Sequence, residues 1–403
     1  MILELIDKWT LDVKTYETYE TVEEVVEEAE AEERQSQNND VDMSRTRASV
    51  KHSKGGSVIT LDSVVLTCAY SPDGESFTVG LENGYVDVYR ISDWERTQTL
   101  RGHADAVKCV VYSPKGDRIA SASQDLTVKL WDPRTGSMLH TLTDHGDYVN
   151  CVAYSPQRDQ VASASEDRTV RIWDTITGEC HHVFSGHSDG VSCVAYSSHG
   201  DMIVSGSEDK TVRLWDVATG TCRMILEGHI DQVSGIACSP ESDQLATASL
   251  DGTLRIWDVA TGACLHVFTG HTKGVLCVAY SPGGDDIVSG SIDNTVKLWD
   301  ATSGSLNGTF TGYSRPVTSV VYSPDGGQIA SSSYDMTVRL QSRDENNYES
   351  DDDMGFGLFD DDDTQDIKYI KEVQSGQTAS GRNDKDDDSD DQGWDLIPGI
   401  SGR

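Results

Sequence analysis

Five sets of side chains in this chain of 403 residues have the types that nucleophilic catalysis uses. They are His103, Ser121 and Asp125; His145, Ser163 and Asp167; His187, Ser205 and Asp209; His229, Thr247 and Asp251; and His271, Ser289 and Asp293. A hydroxyl beside an imidazole that is itself oriented by a carboxylate is the arrangement that activates a serine. Recurrence argues against that chemistry here. The set appears five times, each time with a tryptophan attached: Trp131, Trp173, Trp215, Trp257 and Trp299. Histidines and tryptophans both advance in steps of 42 residues, and an aspartate follows every one of these tryptophans. A set repeated at a fixed period reads as architecture before it reads as catalysis.

The elements that must position these residues repeat with them. Ser-Pro recurs at Ser71, Ser113, Ser155, Ser239, Ser281 and Ser323, with Ser197-Ser198 in register between them, and no unit carries an insertion. Within one unit "DAVKCVVYSP", "DRIASAS", "LTVKLWD" and "SMLHTLT" are separated by turn residues. These are four short strands rich in Val, Ile and Thr. One small sheet cannot bury both of its faces, whereas sheets stacked radially can.

Gly-His, then Ser-x-Ser-x-Asp, then Trp-Asp resemble the WD40 family, over roughly residues 54–343. The resemblance implies an all-β fold, a seven-bladed β-propeller. In that family the His, the Ser or Thr, the turn Asp and the Trp form a hydrogen-bonded tetrad in each blade, which assigns the five sets above to five structural tetrads. Both end units depart from the pattern. The last has Tyr313 and Gln341 where His and Trp are expected and keeps Ser331 and Asp335; the first has Leu61, Val79, Asn83 and Tyr89. The last unit stops after its third strand, at Leu340, and "GGSVIT" (55–60) aligns with the outer strands. The segment around Val58 is therefore expected to complete blade seven and close the ring.

Composition narrows the function. A net charge of -36 argues against a nucleic-acid surface and against an anionic membrane face. No apolar run is long enough to span a bilayer, and the first residues lack the features of a signal peptide. The expectation is an intracellular protein, cytoplasmic with the nucleus left open. Seven of the nine cysteines fall at two phases of the repeat, as small buried side chains do, which speaks against a disulfide framework or a zinc site. His181 and His182 read as outer-strand surface positions, and no phosphate-binding loop is present. No cofactor and no metal is expected.

Charge also divides the chain. Residues 1–53 carry 14 acidic and 6 basic side chains, and residues 344–403 carry 19 and 5. The organisation expected is an acidic N-terminal segment (1–53) with a helix over 17–34 and a polar linker, a propeller (54–343), and an acidic disordered tail (344–403). "RTRAS" (Arg45–Ser49) fits a basophilic kinase site, a pattern common by chance.

Two stretches carry candidate binding residues. By resemblance to the family, one rim of the propeller is the contact face, lined by residues three and five after each His position and by the residue before each turn Asp. In units two to four that rim is polar and partly acidic, with Lys108, Asn150, Glu166 and Glu208. Elsewhere it holds Leu66, Leu250, Leu276, Ile292 and Tyr334, expected as an exposed apolar arc of the kind that marks an interface. In the tail, "ESDDDMGFGLFD" (Glu349–Asp360) is similar to the C-terminal peptide of the eukaryotic ribosomal stalk P-proteins. That resemblance implies acidic capture by Asp351–Asp353 and insertion of Phe356, Leu358 and Phe359 into grooves on translational GTPases. The stalk peptide ends its chain, whereas here Asp361–Asp363 and a further forty residues follow.

The sequence thus reads as a monomeric, non-enzymatic scaffold whose rim binds a protein or peptide and whose tail offers an acidic-aromatic ligand to translation factors. The alternative is an adaptor or substrate-recognition subunit, such as a receptor of a cullin-type ubiquitin ligase. The Trp-Asp-Pro-Arg stretch at Trp131–Arg134 resembles the Trp-Asp-x-Arg of such receptors.

Overall fold

A computed structural model describes residues 49–53, 56–241 and 243–343. The expected N-terminal helix and the tail with Phe356, Leu358 and Phe359 lie outside the described residues. Strands are numbered β1 to β29 in chain order, and they form seven antiparallel sheets. Blade 2 shows the plan, running from the axis outwards as β7 (Val107–Tyr112), β8 (Ile119–Ser123), β9 (Val128–Trp131) and β10 (Met138–Leu142).

The residue types follow from the wedge between blades. Second strands are packed on both faces near the axis and so read small: "IASAS" in β8 is buried throughout. In blade 4 a Cβ at Gly206 would stand 2.6 Å from Val233 Cγ1 of blade 5, a contact that only glycine avoids. The tryptophans fill the gaps between blades. Trp173 packs among Ala120, Val128 and Leu142 of blade 2, and Trp215 among Ala162, Ile172 and Phe184 of blade 3. Each indole thus joins its blade to the one before it, and burial of so large an apolar surface dominates the interface.

The ring closes as the phase of the repeat requires. Blade 7 takes β27 (Val317–Tyr322), β28 (Gln328–Ser333) and β29 (Thr337–Ser342) from the end of the chain and β2 (Gly56–Thr60) from before blade 1. Val58 pairs with Arg339 and Ile59 with Val338. At the axis, Thr318 Oγ1 in β27 donates to the Val65 carbonyl of β3 (Val65–Tyr70) across 2.8 Å, tying blade 7 to blade 1.

Blade 7 also has a fifth strand. β1 (Ser49–Ser53) pairs antiparallel with β2, with Lys51 opposite Val58. These residues lie in the stretch read from sequence as polar linker, so the sheet reaches further back than expected. No helix among the described residues is long and apolar enough to cross a membrane.

Candidate functional site

The five recurring sets assemble within single blades. His103 Nδ1 lies 2.8 Å from Asp125 Oδ2, His103 Nε2 lies 2.7 Å from Ser121 Oγ, and Trp131 Nε1 donates to the same oxygen at 2.8 Å. The sets of His145, His187, His229 and His271 repeat this within 2.6–2.9 Å. An indole N–H can only donate, so the hydroxyl accepts from Trp, and it bridges the indole and the imidazole Nε2 while Nδ1 faces the carboxylate. Ser121, Ser163, Ser205, Thr247 and Ser289 have no exposed surface. Their hydroxyls hold two buried partners in place and stand out of reach of a substrate.

The aspartates do more than orient a ring. Asp125 accepts the backbone N–H of Ala104 at 3.0 Å and of Thr127 at 3.0 Å, which ties the His loop to the turn. Burial pushes these carboxylates up in pKa, but bonds from the His ring and the Thr outweigh it. Asp125, Asp167, Asp251 and Asp293 are held far below the usual range, and Asp209 is held at about 2.

The end blades use substitutes. In blade 7 the Tyr313 hydroxyl bonds Ser331 Oγ and Gln341 Oε1, with the Arg339 guanidinium 4.7 Å from the ring centroid. Blade 1 is knotted around Asp87, which receives Thr99 Oγ1 at 2.7 Å, Arg96 Nη1 at 3.2 Å and Tyr89 Oη at 3.3 Å. Sequence reading missed Asp87, because Tyr89 alone keeps the phase of the repeat there.

The rim is a ring of seven equivalent backbone bonds. The residue before each turn Asp donates its N–H to the residue three after each His position, from Glu82 to Val64 round to Tyr334 to Pro316, all at 2.9–3.0 Å. Over blades 2 to 4 this ring is polar and partly acidic, with Glu166 and Glu208. Asn150 Nδ2 bonds Glu166 Oε1 at 2.7 Å and reaches the Val191 carbonyl of the next blade at 3.1 Å. Burial, with Glu166 and Asp189 close by, pushes the Glu208 carboxyl up. Burial pulls the Lys108 ammonium down, against the attraction of Glu166 and Glu82.

The expected apolar arc is where the structure corrects the sequence. Leu66 is buried, at 8% exposure, with Val64 and Ala106, and Tyr334 packs against them. Leu250, Leu276, Ile292 and Tyr334 are half-buried. Leu250 covers Gly274, where an added Cβ would stand 3.0 Å from its Cα. The inner strands converge at the axis, so side chains that a strand pattern turns outwards meet the neighbouring blade. His181 and His182 are exposed on an outer strand, and no cluster of three metal-ligating side chains occurs among the described residues.

The profile of the WD domain, G-beta repeat, matches residues 94–132, 136–174, 178–216, 220–258, 262–300 and 304–341, more than half of the chain. The chain belongs to this WD40 family. No match was found among curated proteins. Each WD40 match begins at the outer strand of one blade and ends in the third strand of the next, so unit and blade are offset by one strand. That offset is why β2 must complete blade 7. Blade 1, with its Asp87 knot, completes a seven-bladed WD40 propeller around six matched repeats.

Proposed function

We propose that the protein is an interaction scaffold in which the rim of the propeller receives a protein or peptide and the tail presents its acidic-aromatic stretch to a translational GTPase. WD40 propellers typically bind protein partners and generally serve as non-enzymatic scaffolds. The observation that carries the rim is the acidic sector over blades 2 to 4. There burial, and after it the charges of Glu166 and Asp189, push the Glu208 carboxyl up. A cationic group of a partner would relieve that repulsion. The tail reading rests on its likeness to the stalk peptide, and a cytoplasmic location goes with it.

The test is a titration of a fluorescent peptide of residues 344–366 against a purified translational elongation GTPase and against residues 49–343. The control peptide carries Phe356→Ala, Leu358→Ala and Phe359→Ala. Anchor-dependent binding to the GTPase supports the tail reading, and binding that survives the triple change sinks it. For the rim, a peptide array should favour basic sequences and lose that preference with Glu166→Gln/Glu208→Gln.

A second reading, the ubiquitin-ligase adaptor, is favoured by one feature. Arg134 of Trp-Asp-Pro-Arg holds its side chain 81% exposed beside Asp132. Co-purification with a cullin adaptor that fails on Arg134→Ala would support it.

A further inference from the structure

The fifth strand of blade 7 shows what an outer edge of this propeller accepts. β2 occupies the place held in the other blades by β6 (Glu95–Leu100), β10, β14 (Cys180–Ser185), β18 (Cys222–Leu226), β22 (Cys264–Phe268) and β26 (Leu306–Phe310). Those six strands end their sheets, with no further strand paired to them among the described residues. The equivalence extends to single residues. Val58 lies opposite Arg339, just as Val183 lies opposite Arg171, Ile225 opposite Arg213 and Val267 opposite Arg255. Val58, beside β1, is half-buried, whereas Val183, Ile225 and Val267 are 50%, 44% and 46% exposed.

Blade 5 has one of the least protected of these edges: β10, β14 and β26 also lack charged residues and proline, and of these four β22 and β10 expose two large apolar side chains. Sheets ordinarily guard an edge with charge, proline or a covering segment. β6 carries Glu95 and Arg96, and β18 carries Arg223 paired with Asp216. β22 reads Cys-Leu-His-Val-Phe, with no carboxylate, lysine, arginine or proline, and both Leu265 and Val267 are exposed. Its His266 carbonyl is met by the Cys264 thiol at 3.5 Å. A thiol is a weak donor that a backbone N–H would displace.

We infer that β22 is a docking edge for an extended, basic strand of another protein, added antiparallel as β1 is added to β2. Main-chain bonds supply the affinity of such an addition, and alternate side chains supply the choice of strand. Two observations specify the occupant. β1 itself places Val50 towards the core and Lys51 opposite Val58. The propeller that would receive it, residues 54–343, carries 35 acidic and 21 basic side chains. This edge is on the outer wall, and the inference stands independently of the rim.

The experiment uses the full chain and a synthetic peptide of residues 45–53, with a Val50→Pro version as control. Hydrogen exchange should show new protection over 264–268 when the peptide is added and none with the proline version. Val267→Lys should weaken binding by roughly tenfold or more. Val267→Thr, which places in blade 5 the residue type of Thr141 and Thr309, should weaken it less while keeping the strand intact. Three results with the peptide would overturn the inference: no binding, protection confined to β2 and β29 through exchange with the chain's own β1, or affinity unchanged in both variants. Protection of β22 without peptide, rising with protein concentration alongside a dimeric mass, would assign the edge to a second copy and overturn it equally.

Discussion

The Ser205 hydroxyl joins His187 Nε2 and Trp215 Nε1, each at 2.8 Å, in a site with no exposed surface. Ser205→Ala removes both bonds and leaves two buried polar atoms behind. The expected loss is about 2–4 kcal/mol in urea unfolding, while Ser205→Thr, the arrangement of Thr247, should stay near neutral. A loss from Ser205→Ala below about 0.5 kcal/mol would show that the tetrad gives no net stability. The same set predicts acid sensitivity. Burial, against the pull of Asp209, holds His187 below its ordinary value of 6.5, and Asp209 is held at about 2 against an ordinary 3.8. Both groups bind protons more readily in the unfolded chain, so stability rises with pH through each window. As pH falls, the His187 contribution is lost from about 6.5 downwards and the Asp209 contribution between 3.8 and about 2. Asp→Asn at Asp209 should flatten the lower step in a pH series of melting temperatures.

At the scale of elements, the turn after the second strand has one conformation in every blade. Gly84, Leu126, Arg168, Lys210, Gly252, Asn294 and Met336 all have φ between 65° and 83°. Left-handed backbone costs a residue with a Cβ about 1–2 kcal/mol. Leu126→Gly should therefore be neutral or stabilising by up to about 1 kcal/mol, because the entropy that glycine gains in the unfolded chain offsets part of the relief. Gly84→Ala should destabilise, since its Cβ would meet the His103 carbonyl oxygen at 2.9 Å in addition to the strain. Equal effects of the two changes would contradict this account. Trp94 takes the same conformation, with φ of 54°, at a turn where the matched units have glycine. Its indole packs edge-on against Phe77 at 5.6 Å, in the blade 1 core.

At the scale of the molecule, stability depends on a seam made of residues far apart in sequence. β2 pairs with β29, and Thr318 meets Val65. Val58→Pro removes a ladder donor from a strand paired on both sides and leaves its acceptor without a partner, a change of about 1–3 kcal/mol. Its expected signature is faster hydrogen exchange in β27 to β29 and in β3, with the strands of blades 3 to 5 spared. Uniform acceleration across all blades would mean that the ring opens as a single unit.

The period of 42, the strand pattern and the five tetrads were legible in the sequence because each depends on contacts inside one unit, repeated without insertion. The closing strand was legible too, since a unit that ends after Leu340 must borrow its last strand. Tertiary structure alone decided the rest. Leu66 looks outward by strand alternation but is covered by Ala106 of the next blade, and burial of this kind is a property of neighbours. Asp87 joins Arg96 and Thr99 from a strand away, with no motif to announce it. Ser49–Ser53 is polar enough to read as linker and becomes a strand because β2 offers it an open edge. A repeat determines what each unit can form by itself; only the closed ring determines which surfaces remain exposed to solvent.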